Sequence, residues 1–235
     1  MCVLNKKYIA SVSFGKDSLA MLLLILDNNY PLDEVVFYDT GMEFNAIYSI
    51  EKQILPILQS KNIKYTKLSP KIPFEDMMYN MPRLNKNGQQ KNGYGWCGGL
   101  CRWGTTYKIQ EINKYIGKNA IQYVGIAVDE PIRLERLKGT NKISPLAELG
   151  FTEKMALAYC NSKGFFWLEN GVNLYNILDR VSCWCCRNKN LKELINYKIY
   201  LPYYYNKLLE LEKKIGEPMK KPYYLTERFK NICSS

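Results

Sequence analysis

Residues 8–28 read YIASVSFGKDSLAMLLLILDN: a short stretch with strand character, a polar loop holding one glycine, then a long apolar run at helical spacing. A strand that passes into a helix through such a loop presents backbone N–H groups at the helix start. There the helix dipole favours phosphate or sulfate oxygens. Gly15 is expected to let the backbone turn sharply towards an anion. Phe14 completes the loop, Ser13 and Ser18 supply hydroxyls, Lys16 adds charge, and Asp17 caps the helix or holds magnesium. Two familiar loops are excluded. A Walker loop needs four residues between its glycines followed by Gly-Lys-Ser/Thr, and a dinucleotide turn needs Gly-x-Gly-x-x-Gly; neither spacing is present. The plain alternative is an ordinary helix cap.

Outward from this loop the chain alternates. Residues 34–39 (EVVFYD), 63–69 (IKYTKLS) and 120–128 (AIQYVGIAV) have strand character. Between the first two lies a helical stretch in which Pro56 is expected to kink or stop the helix. This order predicts an α/β fold: an open, mostly parallel, twisted sheet with helices on both faces. Residues 80–99 lack a periodic apolar face and read as a long loop, and residues 105–117 as the helix that follows it. Beyond the fourth strand come a helix opening at Thr152 and a helical stretch, 191–216, interrupted at Pro202. The expected organisation is one domain, with residues 1–129 as core and 130–235 as a mainly helical extension carrying the second cysteine group.

Lys and Arg total 33 against 22 acids in 235 residues, a net charge of +11 that favours anionic partners: nucleotides, sulfate, phosphate or nucleic acid. Scattered lysines are also consistent with a merely basic composition. The longest apolar stretch, 19–26, is far short of the ~20 residues of a membrane span, and the N-terminus does not read as a leader. A cytoplasmic protein with no membrane partner is expected. Tyr200, Tyr203, Tyr204 and Tyr205 are either a stacking surface for bases or the aromatic face of a packed helix.

Five of the eight cysteines fall in two groups, Cys97 with Cys101, and Cys183 with Cys185 and Cys186. Four thiolates from two loops, Cys97, Cys101, Cys183 and Cys186, suit zinc or a [4Fe–4S] cluster. The alternative is no metal, with thiols buried or in a disulfide. Cys185 is a spare thiol or substitute ligand, while Cys2 and Cys160 are expected to pack.

The loop Ser13-x-Gly15-x-Asp17-Ser18 after the first strand resembles the pyrophosphate loop of the adenine-nucleotide alpha-hydrolase-like superfamily, which includes ATP pyrophosphatases, thiolation enzymes and the phosphoadenylyl-sulfate (PAPS) reductases. Asp39-Thr40-Gly41-x-Glu43-Phe44 is similar to a stretch of the PAPS reductase branch. "GIAVDEPIRLER" resembles that family's Gly-x-Arg-x-Asp-Glu-Ser-x-Arg pattern, keeping Gly125, Asp129, Glu130 and Arg133 but carrying Ala127 and Pro131 where arginine and serine are usual. "SPLAELGFTEKM" is similar to the segment before a family helix.

The resemblance implies that these residues bind an adenine nucleotide, with Gly41 permitting its close approach and Asp39 or Glu43 meeting hydroxyls or magnesium. It implies a [4Fe–4S] cluster on the four cysteines, although the first pair is separated by three residues and Arg187 stands where proline is usual. The implied activity is reductive cleavage of an adenylyl sulfate, with a thiol donor such as thioredoxin. The alternative is ATP-dependent adenylylation and thiolation of a nucleic-acid or small acceptor, with Mg2+ on Asp17. A non-catalytic nucleotide-binding module is the third reading, and a homodimer is compatible with each. Reductases of this kind use a cysteine in a C-terminal Glu-Cys-Gly-Leu-His motif. This chain has no histidine, and Cys233 in "NICSS" lacks every flanking residue, so the catalytic candidates are Lys16, Asp17 and Cys233.

Overall fold

The computed structural model describes residues 6–230, and the counts and absences below refer to those residues. Two compact units interleave along the chain. The first takes Met1–Asp39, Asn45–Ser69 and Lys108–Trp167; the second takes Thr40–Phe44, Pro70–Tyr107 and Leu168–Ser235. Residues 129 and 130, where the expected core passes into its extension, both lie in the first unit.

In the first unit β1 (Tyr8–Val12), β2 (Glu34–Tyr38) and β3 (Lys64–Leu68) join a fourth strand, Ile121–Val124, and a short fifth, Lys142–Ile143. The order is β3-β2-β1-fourth-fifth, and every pairing is parallel. Parallel neighbours need crossover connections, and helices supply them. On one face Tyr65 and Lys67 of β3 bond Glu51 of α2 (Asn45–Ser60). On the other, Ile9, Val36 and Tyr38 form an apolar cluster with Ile112 and Ile116 of α3 (Lys108–Ile116). Both faces are therefore covered, which is why all five residues of β2 are buried instead of alternating. α1 (Lys16–Asp27) buries nine of its residues, from Lys16 to Ile25, and packs along the helix Glu153–Ser162. The expected α/β architecture is the observed one.

Two expected boundaries are corrected. α2 runs through Pro56 without ending; its exposed position leaves the ring in solvent. The fourth strand stops at Val124 instead of 128, because the chain turns there: Ile126 N–H bonds the Val124 carbonyl at 3.2 Å.

In the second unit the stretch expected as a plain loop carries a hairpin, Pro82–Leu84 with Gln90–Asn92. Its turn is made by the Asn85 side chain, whose Oδ1 accepts from the N–H groups of Asn87 and Gln89, both at 2.9 Å. The helix expected from residue 105 opens as a π-helical turn at Arg102–Tyr107. Helices Leu191–Tyr200 and Pro202–Ile215 are divided at Leu201, as the proline predicts, and a capping box of Asn190 and Glu193 starts the first. Tyr204 and Tyr205 are buried, Tyr204 edge-on to Phe44 at 4.8 Å. Half of the four-tyrosine stacking surface is thus core; Tyr200 and Tyr203 remain exposed. No helix among the described residues is long and apolar enough to cross a membrane.

Candidate functional site

The loop after β1 is held by its own hydroxyls. Ser13 N–H donates to Ser18 Oγ at 3.1 Å, the two Oγ atoms lie 3.1 Å apart, and Ser18 Oγ donates to the Gly15 carbonyl at 3.1 Å. The sharp turn is not at Gly15, whose φ of −77° any residue adopts. It is at Phe14, with φ +55°. A left-handed phenylalanine is strained by about 1–2 kcal/mol. Tertiary contacts hold it: the ring is fully buried, 5.0 Å from that of Phe37, and the Phe14 carbonyl accepts Trp167 Nε1 at 2.7 Å. Behind the loop, Gly125 backs onto the start of α1. A Cβ there would lie 2.8 Å from the Asp17 carbonyl carbon and the Ser18 Cα, so only glycine allows this approach.

Beside the loop, on the α3 side of the sheet, lies a cavity of about 410 Å³. Ser13, Ser18, Gly125 and Arg133 line it, joining the loop to the third motif. Lys108, Arg136 and Lys142 also line it, and no Asp or Glu does. Among the described residues Lys108, Arg136 and Lys142 make no ion pair with a carboxylate; Arg133 is paired with Glu130. Lys142 Nζ bonds Asn113 Oδ1 at 2.9 Å, and burial holds its ammonium below the usual lysine range. Cations gathered without counter-charge are an arrangement an anionic ligand relieves. Sequence reasoning missed Lys142 and its strand neighbour Gln122 as site residues. The only signal was the short KIS stretch after the turn, too brief to read as a strand.

Other expected residues have partners within the fold. Lys16 is buried between Asp17 (2.8 Å) and Glu153 (2.5 Å). Burial pulls its ammonium down, and bonds to the two carboxylates outweigh that, so the net shift is upward. Burial raises the Asp17 carboxyl against the opposing pull of Lys16. Asp129 accepts the Glu153 N–H at 3.1 Å, adding to the Thr152 cap of that helix. Glu130 accepts the Ala127 N–H at 3.2 Å and holds Arg133. Asp39 is bonded by Tyr48 (2.8 Å) and Lys67 (3.2 Å). Cys160 packs as expected, fully buried, with burial raising its thiol to about 12.

Thr40, Gly41 and Glu43 do not line this cavity. Thr40 Oγ1 donates to Glu43 Oε1 at 2.9 Å and stands 3.5 Å from Cys183 Sγ, while the Met42 carbonyl accepts Trp184 N–H at 2.9 Å. The motif therefore braces the second cysteine loop, within the second unit. Gly41 takes a φ of +74°, which favours glycine, and the space around it is open.

All four expected ligand cysteines belong to that unit. Cys97 Sγ accepts the Arg102 N–H at 3.2 Å and Cys101 Sγ the Gly104 N–H at 3.3 Å. Burial and the neighbouring Cys97 and Cys186 push the Cys101 thiol up to about 11, against the Gly104 bond. Buried Cys185 is raised well above the usual thiol range, first by burial and then by Cys183, Cys186 and Cys101. These thiols influence one another, yet among the described residues no three His, Cys, Asp or Glu stand as a group that could hold a metal ion. A single zinc ion requires four sulfurs in close contact around one centre, whereas a cubane cluster is a larger body carried by more widely spaced cysteines. Ser182 Oγ, next to Cys183 in the chain, is buried with no hydrogen-bond partner. A donor set of four thiols, two backbone N–H groups on sulfur and an unspent hydroxyl fits an iron–sulfur group in its chemistry. Cys2 and Cys233 lie outside the described residues.

The model of the phosphoadenosine phosphosulfate reductase domain matches residues 7–130, more than half of the chain. The chain belongs to this family. An uncharacterized protein of Methanocaldococcus jannaschii is 25% identical over 233 aligned positions, which cover 90% of this chain. This reductase-family chain spans about half of that relative's length, 49%. Among solved structures, the U34-tRNA thiolase NcsA from Methanococcus maripaludis with its [4Fe–4S] cluster is similar at a TM-score of 0.44 and 14% identity. That alignment covers 97% of this chain and 81% of the thiolase.

Proposed function

We propose that this PAPS-reductase-family chain binds an adenylyl sulfate in the cavity of the first unit and cleaves it reductively. The observation that carries this reading is a pocket lined by four cationic side chains and no carboxylate, at the end of a strand–loop–helix whose hydroxyls and amides suit tetrahedral oxyanions. The Ser13–Ser18 loop takes the phosphosulfate. Arg133, oriented by Glu130, and Arg136, Lys108 and Lys142 take further negative charge, including a 3′-phosphate where the substrate carries one. Lys16 and Asp17 act by fixing the start of α1 and not by contact with substrate.

In the reaction a thiolate attacks the sulfate sulfur and the S–O bond to phosphate breaks. The electron pair leaves on the adenosine phosphate, and an S-sulfocysteine remains. An external dithiol such as thioredoxin then reduces it, releasing sulfite and regenerating the thiol as the dithiol becomes a disulfide. Cys233 is the candidate for the attacking thiol. Cys97, Cys101, Cys183 and Cys186 would hold a [4Fe–4S] cluster, which when bound supplies a redox-active, electron-withdrawing iron–sulfur centre. Arg102 N–H and Gly104 N–H would donate to the sulfurs of Cys97 and Cys101.

A second reading, ATP-dependent transfer of sulfur to an acceptor with Mg2+ assisting pyrophosphate release, is favoured by one observation. The sequence around Cys233 lacks the residues of the reductase motif. A single assay separates the two. Anaerobically purified protein is incubated with adenylyl sulfates plus a dithiol, and separately with ATP and Mg2+. Sulfite and an adenosine phosphate from the first are expected. Pyrophosphate from ATP, with no sulfite, would replace the reductase by the sulfurtransferase.

A further inference from the structure

The second unit holds another cavity, of about 550 Å³, lined by Gly98, Gly99, Arg187, Asn188, Met219, Lys220 and Lys221. Gly98 and Gly99 belong to the loop between Cys97 and Cys101, and Arg187 follows Cys186. Three cations line it and no carboxylate does. Among the described residues only Lys221 has an acidic partner, Glu217 at 3.2 Å, and that pair is exposed on both sides; Arg187 and Lys220 have none.

The walls are fixed by bonds that leave charge facing the space. Asn188 and Gly99 exchange two hydrogen bonds, Gly99 N–H to Oδ1 at 3.0 Å and Nδ2–H to the Gly99 carbonyl at 2.7 Å. Arg187 spends only Nε, on the Met219 carbonyl at 3.0 Å. Its Nη1 would lie 3.3 Å from a Cβ at residue 98, so glycine there lets the guanidinium rest across the cysteine loop. Opposite, the Met219 N–H is pinned to the buried Glu212 carboxylate at 2.7 Å, and Arg228 holds the Lys220 carbonyl from behind at 3.0 Å. Lys220 Nζ bonds the Arg187 carbonyl at 2.5 Å, which brings two unpaired cations to one wall.

We infer that this cavity is a second anion-binding site, taking a phosphate-type tetrahedral oxyanion beside the cysteine loop through Arg187, Lys220 and Lys221. A fork of guanidinium donors with two ammonium groups is the chemistry that recognises such oxygens. The oxyanion comes either from the backbone of a single-stranded nucleic acid or from free phosphate. The site uses no residue of the nucleotide cavity, so it does not depend on what the first unit binds.

The test titrates a labelled 12-nucleotide oligothymidylate and, separately, inorganic phosphate into the whole protein. Wild type is compared with K220Q/K221Q, with the exposed-site variant K221Q alone, and with R136A in the first cavity. Binding of the oligonucleotide should weaken about tenfold in the double variant. The slope of log affinity against log salt should fall by about 1.4, the value for two lost single-strand phosphate contacts. K221Q should show about half that change, and R136A none. Phosphate binding lost in the double variant without oligonucleotide binding assigns the site to the free ion. If the double variant and K221Q bind both probes as wild type does, or wild type binds neither, the inference is overturned. Retained adenine-nucleotide binding in K220Q/K221Q keeps this result separate from the proposed activity.

Discussion

At the scale of single residues, the loop after β1 depends on positions packed behind it. Gly125 is the sharpest: a methyl group there meets α1 backbone at 2.8 Å, which cannot rotate away. Gly125→Ala is expected to cost about 1–3 kcal/mol, the range for overpacking, and to weaken adenine-nucleotide binding at least tenfold. Urea unfolding and calorimetric titration read the two effects. Trp167→Phe keeps the buried ring but removes the donor to the Phe14 carbonyl. The orphaned carbonyl should cost about 1–3 kcal/mol, and the loop should loosen, seen as faster amide exchange at residues 13–18. Lys142 gives a pH signature. Its ammonium is held low by burial, and only the protonated form attracts an anion, so nucleotide binding should take up protons. Affinity should fall as pH rises, beginning below the ordinary lysine range, and Lys142→Met should flatten that profile.

At the scale of elements, α1 is tied to the helix Glu153–Ser162 through Lys16. Glu153→Gln removes one of two carboxylates from a buried ammonium; with Glu153 about half exposed, the expected cost is about 1–2 kcal/mol. The Lys16 pKa is raised in the folded state, so the pair's contribution is complete below the unfolded lysine pKa and is lost as pH climbs through the folded one. The gap between the thermal melts of wild type and Glu153→Gln should therefore hold up to the ordinary lysine range and narrow only above it. α2 offers the opposite sign. Pro56 sits exposed inside a continuous helix, and Pro56→Ala should raise stability, by up to about 3 kcal/mol.

The elements also show what the sequence could tell. Buried parallel strands announce themselves as apolar runs, and β1, β2 and β3 were legible within a residue or two. Pro56 misled because a proline's local cost is outweighed when the apolar face on either side, Ile47, Ile50, Ile54 and Leu58, is buried against one surface. The 82–92 hairpin was illegible because its strands are three residues long and exposed, with no alternation to read. The site divided similarly. Ser13, Ser18, Gly125 and Arg133 were legible as motif positions, while Lys142 reached the cavity only through a two-residue strand. The Thr40–Phe44 motif was legible as important but not as a brace for Cys183, since that contact spans 143 positions.

At the scale of the whole molecule, which carries a net charge of +11, two cavities are lined by cations without carboxylates, one in each unit. The first holds the Ser13–Ser18 loop within the stretch that matches the family, and the second adjoins a group of thiols. An ultraviolet–visible spectrum of anaerobic protein should show a broad band at about 400 nm, as cysteine-held iron–sulfur clusters do. Cys183→Ser should abolish it without removing nucleotide binding. The most direct measurement is calorimetric titration of adenylyl sulfate into wild type and into Arg136→Ala, whose guanidinium lines the first cavity without an acidic partner. Saturable binding by wild type, weakened about tenfold by the substitution and at least as much by Gly125→Ala, is the predicted result. Equal affinity in all three proteins, or no binding by wild type, would contradict it.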